Sequence, residues 1–311
     1  MLTILNGNNV MRKSRINRIG KFLTDNVSVR GYSHIISGKV CQDNSISWHT
    51  DKYAGVIICD GHGGEKYIRS DKGSSFACKI GKKAIEEFMH SIKQLDKEKY
   101  KDQLTVLERH IINKWRIAAE QDISENPLMD DERFQALSDA DKYLLNQKPI
   151  KAYGTTFIAA VLTSNYYFVI KLGDGNVNVV LSSGTINTAD ENNAEYDEGG
   201  NLKTVLEDDQ LQFNVTTSLC QSNADTEFRH ILVNIGKKRP VKGIVLTTDG
   251  IINCFKSVAA YKALIKNIYN AYLEIKNQNE IEAARAELVD GLKQLSEKGS
   301  GDDVSVAIAI R

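Results

Sequence analysis

The chain of 311 residues is 41% apolar and 26% charged, which excludes the disordered and collagen-like classes and allows a sizeable core. Its 40 basic and 40 acidic residues cancel, so no global field draws it to nucleic acid or to an anionic membrane. No apolar run is long enough to span a bilayer, and the basic N-terminus lacks a secretory core, so the expectation is a soluble, cytoplasmic protein with no membrane partner.

In chain order, residues 1–26 read as an N-terminal extension. Strand-like runs rich in β-branched residues follow at 44–48 (NSISW) and 54–59 (AGVIIC). Helical stripes come next, with Phe76, Ile80, Ala84 and Phe88 on one face and Leu104, Leu107, Ile111, Ile112, Trp115 and Ala119 on another. The charged stretch 121–150, with Pro127 and Pro149, reads as an insertion. Strands are predicted at 155–163, 166–173 and 176–182, separated by Ser-Asn at 164–165 and Asp-Gly at 174–175. Both pairs are hairpin signals, so these strands are predicted to be successive antiparallel neighbours. Residues 183–240 carry an acidic, Gly-containing run and read as a flap-like loop. A strand at 242–248, helices around Leu264–Tyr272 and Leu288–Leu295, and a final strand at 304–310 close the chain. Strands at both ends with helices in the middle and near the end predict one α+β domain over 27–311. The cysteines (Cys41, Cys59, Cys78, Cys220, Cys254) are five in number and scattered, which points to reduced core thiols rather than disulfides or a zinc site.

The informative pattern is where carboxylates stand relative to strands. Asp60 ends VIIC, Asp174 follows FVIKLG, Asp249 follows GIVLTT, Asp302 and Asp303 precede VSVAIAI, and Asp43 precedes NSISW. Any one Asp-Gly is a turn residue first. Several carboxylates at the ends of apolar strands face a large desolvation cost unless cations or hydrogen bonds neutralise them. Oxygen ligands without a His or Cys cluster favour Mg²⁺ or Mn²⁺ over zinc.

DGHGG at 60–64, GTT at 154–156, GDG at 173–175, TTDG at 247–250 and GSGDDVS at 299–305 together resemble, in order and rough spacing, the metal-dependent protein phosphatases of the 2C type. The opening SVRGYSHIISGKVCQDN looks like the bacterial branch. The resemblance implies a four-layer sandwich, two packed antiparallel β-sheets flanked by α-helices. It also implies hydrolysis of phosphoserine or phosphothreonine by a water held at two Mg²⁺ or Mn²⁺ ions. Asp60 matches the carboxylate that bridges both metals, and the Gly61 carbonyl matches a further ligand. Asp249 and Asp302 match ligands of the second ion, Asp43 the acidic position of the first motif, and Asp174 an aspartate associated with a third, weaker metal. His62 matches the proposed general acid.

The chain departs from the family pattern in places. The arginine that grips phosphate five residues ahead of Asp43 is Gly38 here, leaving Lys39, Arg30 or His34 as substitutes. Gln42 and Asn253 stand where relatives carry acids. A phosphorylated protein, with a cognate Ser/Thr kinase opposing the enzyme, is the expected partner, and a monomer the expected state. The alternatives are a pseudophosphatase or phosphopeptide-binding regulatory module, which would bind without turnover, and a two-metal hydrolase of nucleotides, which neutral charge disfavours.

Overall fold

The computed structural model describes residues 21–92, 99–188, 216–236 and 240–311. One sheet contains β1 (Leu23–Val29), β6 (Asn176–Leu181), β7 (Ile186–Thr188), β9 (Val241–Thr247) and β10 (Val304–Ile310), in the order β1-β10-β9-β6-β7. The other contains β2 (Asn44–His49), β3 (Tyr53–Cys59), β4 (Phe157–Thr163), β5 (Tyr166–Leu172) and β8 (Arg229–Asn234), in the order β2-β3-β4-β5-β8. Every strand pairing is antiparallel.

The helices, in chain order, are α1 (Tyr32–Ser37), α2 (Ser70–Ser91), α3 (Tyr100–Glu125), α4 (Glu132–Gln135), α5 (Asp139–Gln147), α6 (Ala224–Glu227), α7 (Asp249–Ile252), α8 (Val258–Leu273) and α9 (Gln278–Lys298). Residues of α2 and α3 pack in a common core with the β2–β8 sheet, and residues of α8 and α9 in a common core with the other sheet. A third core lies between the sheets, which completes the α/β/β/α layering expected from the resemblance.

That layering explains the unbroken apolar strands. In β3, Ile57 and Cys59 pack toward the helices whereas Ala54, Val56 and Ile58 pack toward the opposite sheet. In β10, Val304, Val306, Ile308 and Ile310 face the helices while Ala307 and Ala309 face the sheet. A strand buried on both faces has no polar side to alternate with.

Three sequence expectations change. First, β5 and β6 do not pair across Asp174-Gly175: β5 lies between β4 and β8, and β6 between β9 and β7. The segment is a crossover between sheets, turned by Gly173 at φ 110°, a left-handed value that side-chain-bearing residues rarely adopt. Second, β1 begins at Leu23, ahead of the boundary expected at 27, and pairs along its length with β10. Its buried Asp25 accepts hydrogen bonds from Tyr272 Oη at 2.7 Å and Arg285 Nε at 2.9 Å, which fastens α8 and α9 to the sheet. Third, the segment 183–240 contributes β7, α6 and β8 rather than loop alone, while its residues 189–215 and 237–239 lie outside the described part, as do residues 1–20 of the expected extension. The five cysteines are free thiols. No helix among the described residues is long and apolar enough to cross a membrane.

The 121–150 segment is anchored by a single buried cation. Arg69 is 3% exposed and donates to Asp131 Oδ2 at 3.2 Å, Asn126 O at 2.7 Å, Tyr153 Oη at 2.8 Å and Pro127 O at 3.3 Å. Removing one partner of such a buried network leaves the others desolvated and unpaired, at a cost of about 3–5 kcal/mol. Arg69→Met is therefore expected to lower the melting temperature by on the order of 10 °C. Amide exchange should accelerate over 121–150 first, and unchanged protection there would show that the segment is held by its apolar contacts instead.

Candidate active site

The candidate residues meet where strands of both sheets end. Asp60 follows β3, Asp174 stands in the β5–β6 crossover, Asp249 follows β9, and Asp302 and Asp303 lead into β10. Asp43 precedes β2 on the facing sheet. Each is one or two residues from a strand, and all but Asp43, which precedes the half-buried β2, adjoin largely buried strands, so the sheet packing that forms the core also sets the spacing of the carboxylates.

The motifs clamp one another. The Asp60 carbonyl accepts from Thr156 N at 2.8 Å and Thr155 Oγ1 at 2.8 Å, while Asp60 N donates to Thr156 Oγ1 at 2.9 Å. His62 N donates to Gly154 O at 3.1 Å. The Gly-Thr-Thr motif thus holds the backbone of the Asp-Gly-His motif, which leaves the Asp60 carboxylate free for the cleft. Gly61 is required by close approach: a Cβ there would stand 2.4 Å from Gln42 O and 2.9 Å from Ser70 O. Thr248 joins the last motifs by donating to Asp43 Oδ2 at 2.8 Å and accepting from Ser305 N at 2.9 Å.

The electrostatics show how closely these groups are gathered. Burial, then the charges of Asp43, Asp249 and Asp174, raises Asp60 well above the usual carboxylate range. Burial and then Asp303 do the same to Asp43. Burial and then Asp174 raise Asp249, and burial raises Asp302. No three His, Cys, Asp or Glu side chains among the described residues close into a ligand cage by themselves. The donor set is nonetheless all oxygen, anionic and mutually repelling, and this chemistry fits Mg²⁺ or Mn²⁺.

Asp303 is the exception. Against the desolvation of burial, hydrogen bonds from His34 Nδ1 at 2.9 Å, Gly31 N at 2.6 Å and Gln42 N at 2.6 Å hold it below the usual range. It acts as a fixed anion bracing the loops behind the cleft. The sequence showed it only as the second of two adjacent aspartates. In the fold Asp303 is buried while Asp302 beside it is exposed, a difference that nothing in the sequence marks.

The three basic candidates separate. His34 is 8% exposed and spends Nδ1 on Asp303. Arg30 Nη2 donates to His34 O at 2.8 Å, inside the same brace. Lys39 alone reaches the catalytic loop, where Nζ donates to Gly63 O at 3.2 Å beside His62. The His62 ring stands edge-on to Tyr67 with centroids 4.7 Å apart. Burial, and secondarily Lys66, lowers its pKa to about 4. Asn253, where relatives carry an acid, donates from Nδ2 to Asp249 Oδ2 at 3.1 Å and so is turned toward the cluster as a donor.

Comparison with known proteins agrees with this geometry. The family model described as Protein phosphatase 2C matches residues 30–293. The chain therefore belongs to the protein phosphatase 2C family of metal-dependent serine/threonine phosphatases. The fold is similar to the serine/threonine phosphatase Stp1 of Staphylococcus aureus, at 15% identity over 96% of this chain and 99% of that one, with a TM-score of 0.54. It is also similar to a bacterial serine phosphatase, at 14% identity over 92% and 96% of the two chains and a TM-score of 0.53. A third similar structure is PppA, a key regulatory component of T6SS in Pseudomonas aeruginosa, at 10% identity over 95% and 98% and a TM-score of 0.52. No curated protein sequence matches the chain.

The raised carboxyl pKa values carry a sign. Groups raised on folding stabilise the metal-free protein below their unfolded value of about 4, and that contribution is lost as pH rises through the folded values. At neutral pH the repulsion is therefore a cost that cations relieve. Asp60→Asn is expected to raise the melting temperature in chelator and to shrink the increase that Mn²⁺ produces, both by calorimetry. A melting temperature that falls in chelator and still rises fully with Mn²⁺ would assign Asp60 a structural role.

Proposed function

We propose that this chain hydrolyses phosphoserine or phosphothreonine in a protein substrate, using two divalent cations held by Asp60, the Gly61 carbonyl, Asp249 and Asp302. Asp43 shapes the same site, and Asp174 serves a third, weaker ion. The observation that carries this reading is the convergence of five mutually interacting carboxylates from both sheets, one of them on the loop that carries His62. Bound there, divalent cations neutralise phosphate charge and lower the pKa of water toward neutrality.

The chain's own residues do the rest. Asp60 and Asp249, both half-buried, would hold the cations whose positive charge a phosphate dianion meets. Thr155 and Thr156 keep the Asp60 backbone rigid, so that the carboxylate is preorganised rather than recruited. Lys39, fixed on Gly63 O, places a cation next to His62 and takes over the phosphate grip that Gly38 cannot supply. His62 is neutral at pH 7 in its buried setting. An arriving dianion favours its protonated form, so that substrate itself arms the ring to donate a proton to the departing serine or threonine oxygen.

Turnover of a phosphate ester is expected to require added Mn²⁺ or Mg²⁺ and to stop in chelator; full activity after exhaustive chelation would refute the metal assignment. His62 is tested by leaving group. A serine alkoxide is strongly basic and needs the proton, whereas p-nitrophenolate does not. At saturating Mn²⁺, His62→Gln should slow a phosphoserine peptide by about a hundredfold to ten-thousandfold and p-nitrophenyl phosphate much less. Equal losses on both substrates would make His62 a residue that shapes the metal loop.

A further inference from the structure

Beside the carboxylate cluster lies a second concavity that the hydrolytic reading leaves without a role. It is a cleft of about 450 Å³ between the loop after α1, the loop after His62 and the segment around α4. Its apolar walls are Val40, Ile68, Ala136 and Leu137. Ile68 and Leu137 belong to the core and give a firm floor, while Val40 is 50% exposed. Lys39 and Arg133 stand at its rim, and Asp131 Oδ1, 3.1 Å from Arg133 Nε, holds that guanidinium in place.

Two features tie the cleft to the reacting centre. Tyr67, which packs edge-on to His62, is one of its walls, and so is Gly63, whose carbonyl receives Lys39. The second feature is an unanswered acceptor. Gln42 is more than nine-tenths buried and lines the cleft. Its Nε2 donates to Ser70 Oγ at 2.6 Å and His62 O at 3.2 Å, yet its Oε1 has no hydrogen-bond partner. A Cβ built on Gly63 would meet no atom within 4 Å except that oxygen, at 3.8 Å. A buried acceptor without a donor is costly unless a ligand supplies one, and an incoming peptide N–H is the donor that fits.

We infer that this cleft is a specificity site, resting on the phosphatase reading, which seats one aliphatic side chain of the substrate close to the phosphorylated residue while a peptide N–H of that substrate bonds Gln42 Oε1. The occupant is the substrate chain itself because the cleft is lined by Lys39, the proposed phosphate grip, and by Gly63 and Tyr67, which adjoin His62, so that a peptide held by its phosphate lies alongside it. Apolar walls select an aliphatic side chain, and the rim cations suit the phosphorylated segment that carries it. The 121–150 segment that Arg69 anchors supplies Arg133, Ala136 and Leu137, so its role is recognition as well as packing.

The test uses the full chain with Mn²⁺ and peptides carrying a non-hydrolysable phosphonate analogue of phosphoserine in a glycine background, with one leucine walked through the flanking positions. Binding is followed by fluorescence anisotropy. Leucine at one position should tighten binding by roughly tenfold or more over glycine, the discrimination that a hydrophobic pocket provides. Ala136→Trp, which fills the exposed wall, should remove that gain while leaving the all-glycine peptide and p-nitrophenyl phosphate turnover unchanged. Ala136→Glu, which places charge rather than bulk on the same wall, should do the same. A flat leucine scan, or a gain that survives both variants, overturns the inference. Turnover of p-nitrophenyl phosphate reads the carboxylate cluster alone, so a chain that shows the leucine preference but no metal-dependent turnover would keep this site and refute the phosphatase.

Discussion

Electrostatic repulsion among carboxylates is the constraint on which the rest of this structure depends. Five aspartates stand at strand ends, four of them shifted toward their protonated forms by burial and by one another. Such an arrangement costs stability in the absence of cations, so the surroundings must be rigid enough to sustain it. That rigidity comes from two sheets packed through small and branched side chains, from the Thr155–Thr156 clamp on Asp60, and from Asp303, which turns a further carboxylate into a brace by meeting it with three donors. The same residues that make the site unstable alone make it a strong place for divalent charge.

Much of this was legible in the sequence because burial on both faces leaves a mark. The runs that became β3, β4 and β10 read as continuous apolar segments, and the aspartates at the ends of β3 and β10 stood out against them. What could not be read has physical causes. Strand β1, LTDNVSV, is polar in composition, and its buried Asp25 accepts hydrogen bonds from Tyr272 and Arg285, 247 and 260 residues further along the chain. No local pattern announces a partner that distant. Strand β8, RHILVN, is a sheet edge whose Ile231 and Val233 face the opposite sheet, too brief an alternation to separate from the polar segment before it.

The Asp-Gly at 174–175 misled for a different reason. Its chemistry suits a two-residue hairpin turn, but the choice between a hairpin and a crossover lies in which strands β5 and β6 pair with, and that is decided by β8 and β9 much later in the chain. At the site, spacing could not rank Arg30, His34 and Lys39, because the ranking depends on Asp303, which captures His34 and through it Arg30. Arg69 and Arg133 were silent in sequence for the same reason: Arg69 is defined by partners at the end of α3, at Asp131 and at Tyr153, and Arg133 by Asp131 and the distant Asp71.

The pairing of β1 with β10 fixes where the polypeptide enters and leaves the domain. Val29 lies opposite Val304 at the cleft end, with Gly31 and Asp303 bonded just beyond, whereas Leu23 lies opposite Ile310 at the far end of the same two strands. A seven-residue strand separates those ends by roughly 20 Å. Both routes into this sheet therefore open on the side of the molecule remote from the carboxylates. The β1–β10 pair is thus a strut of two antiparallel strands that joins the Asp303 brace at the cleft to the opposite end of the sheet.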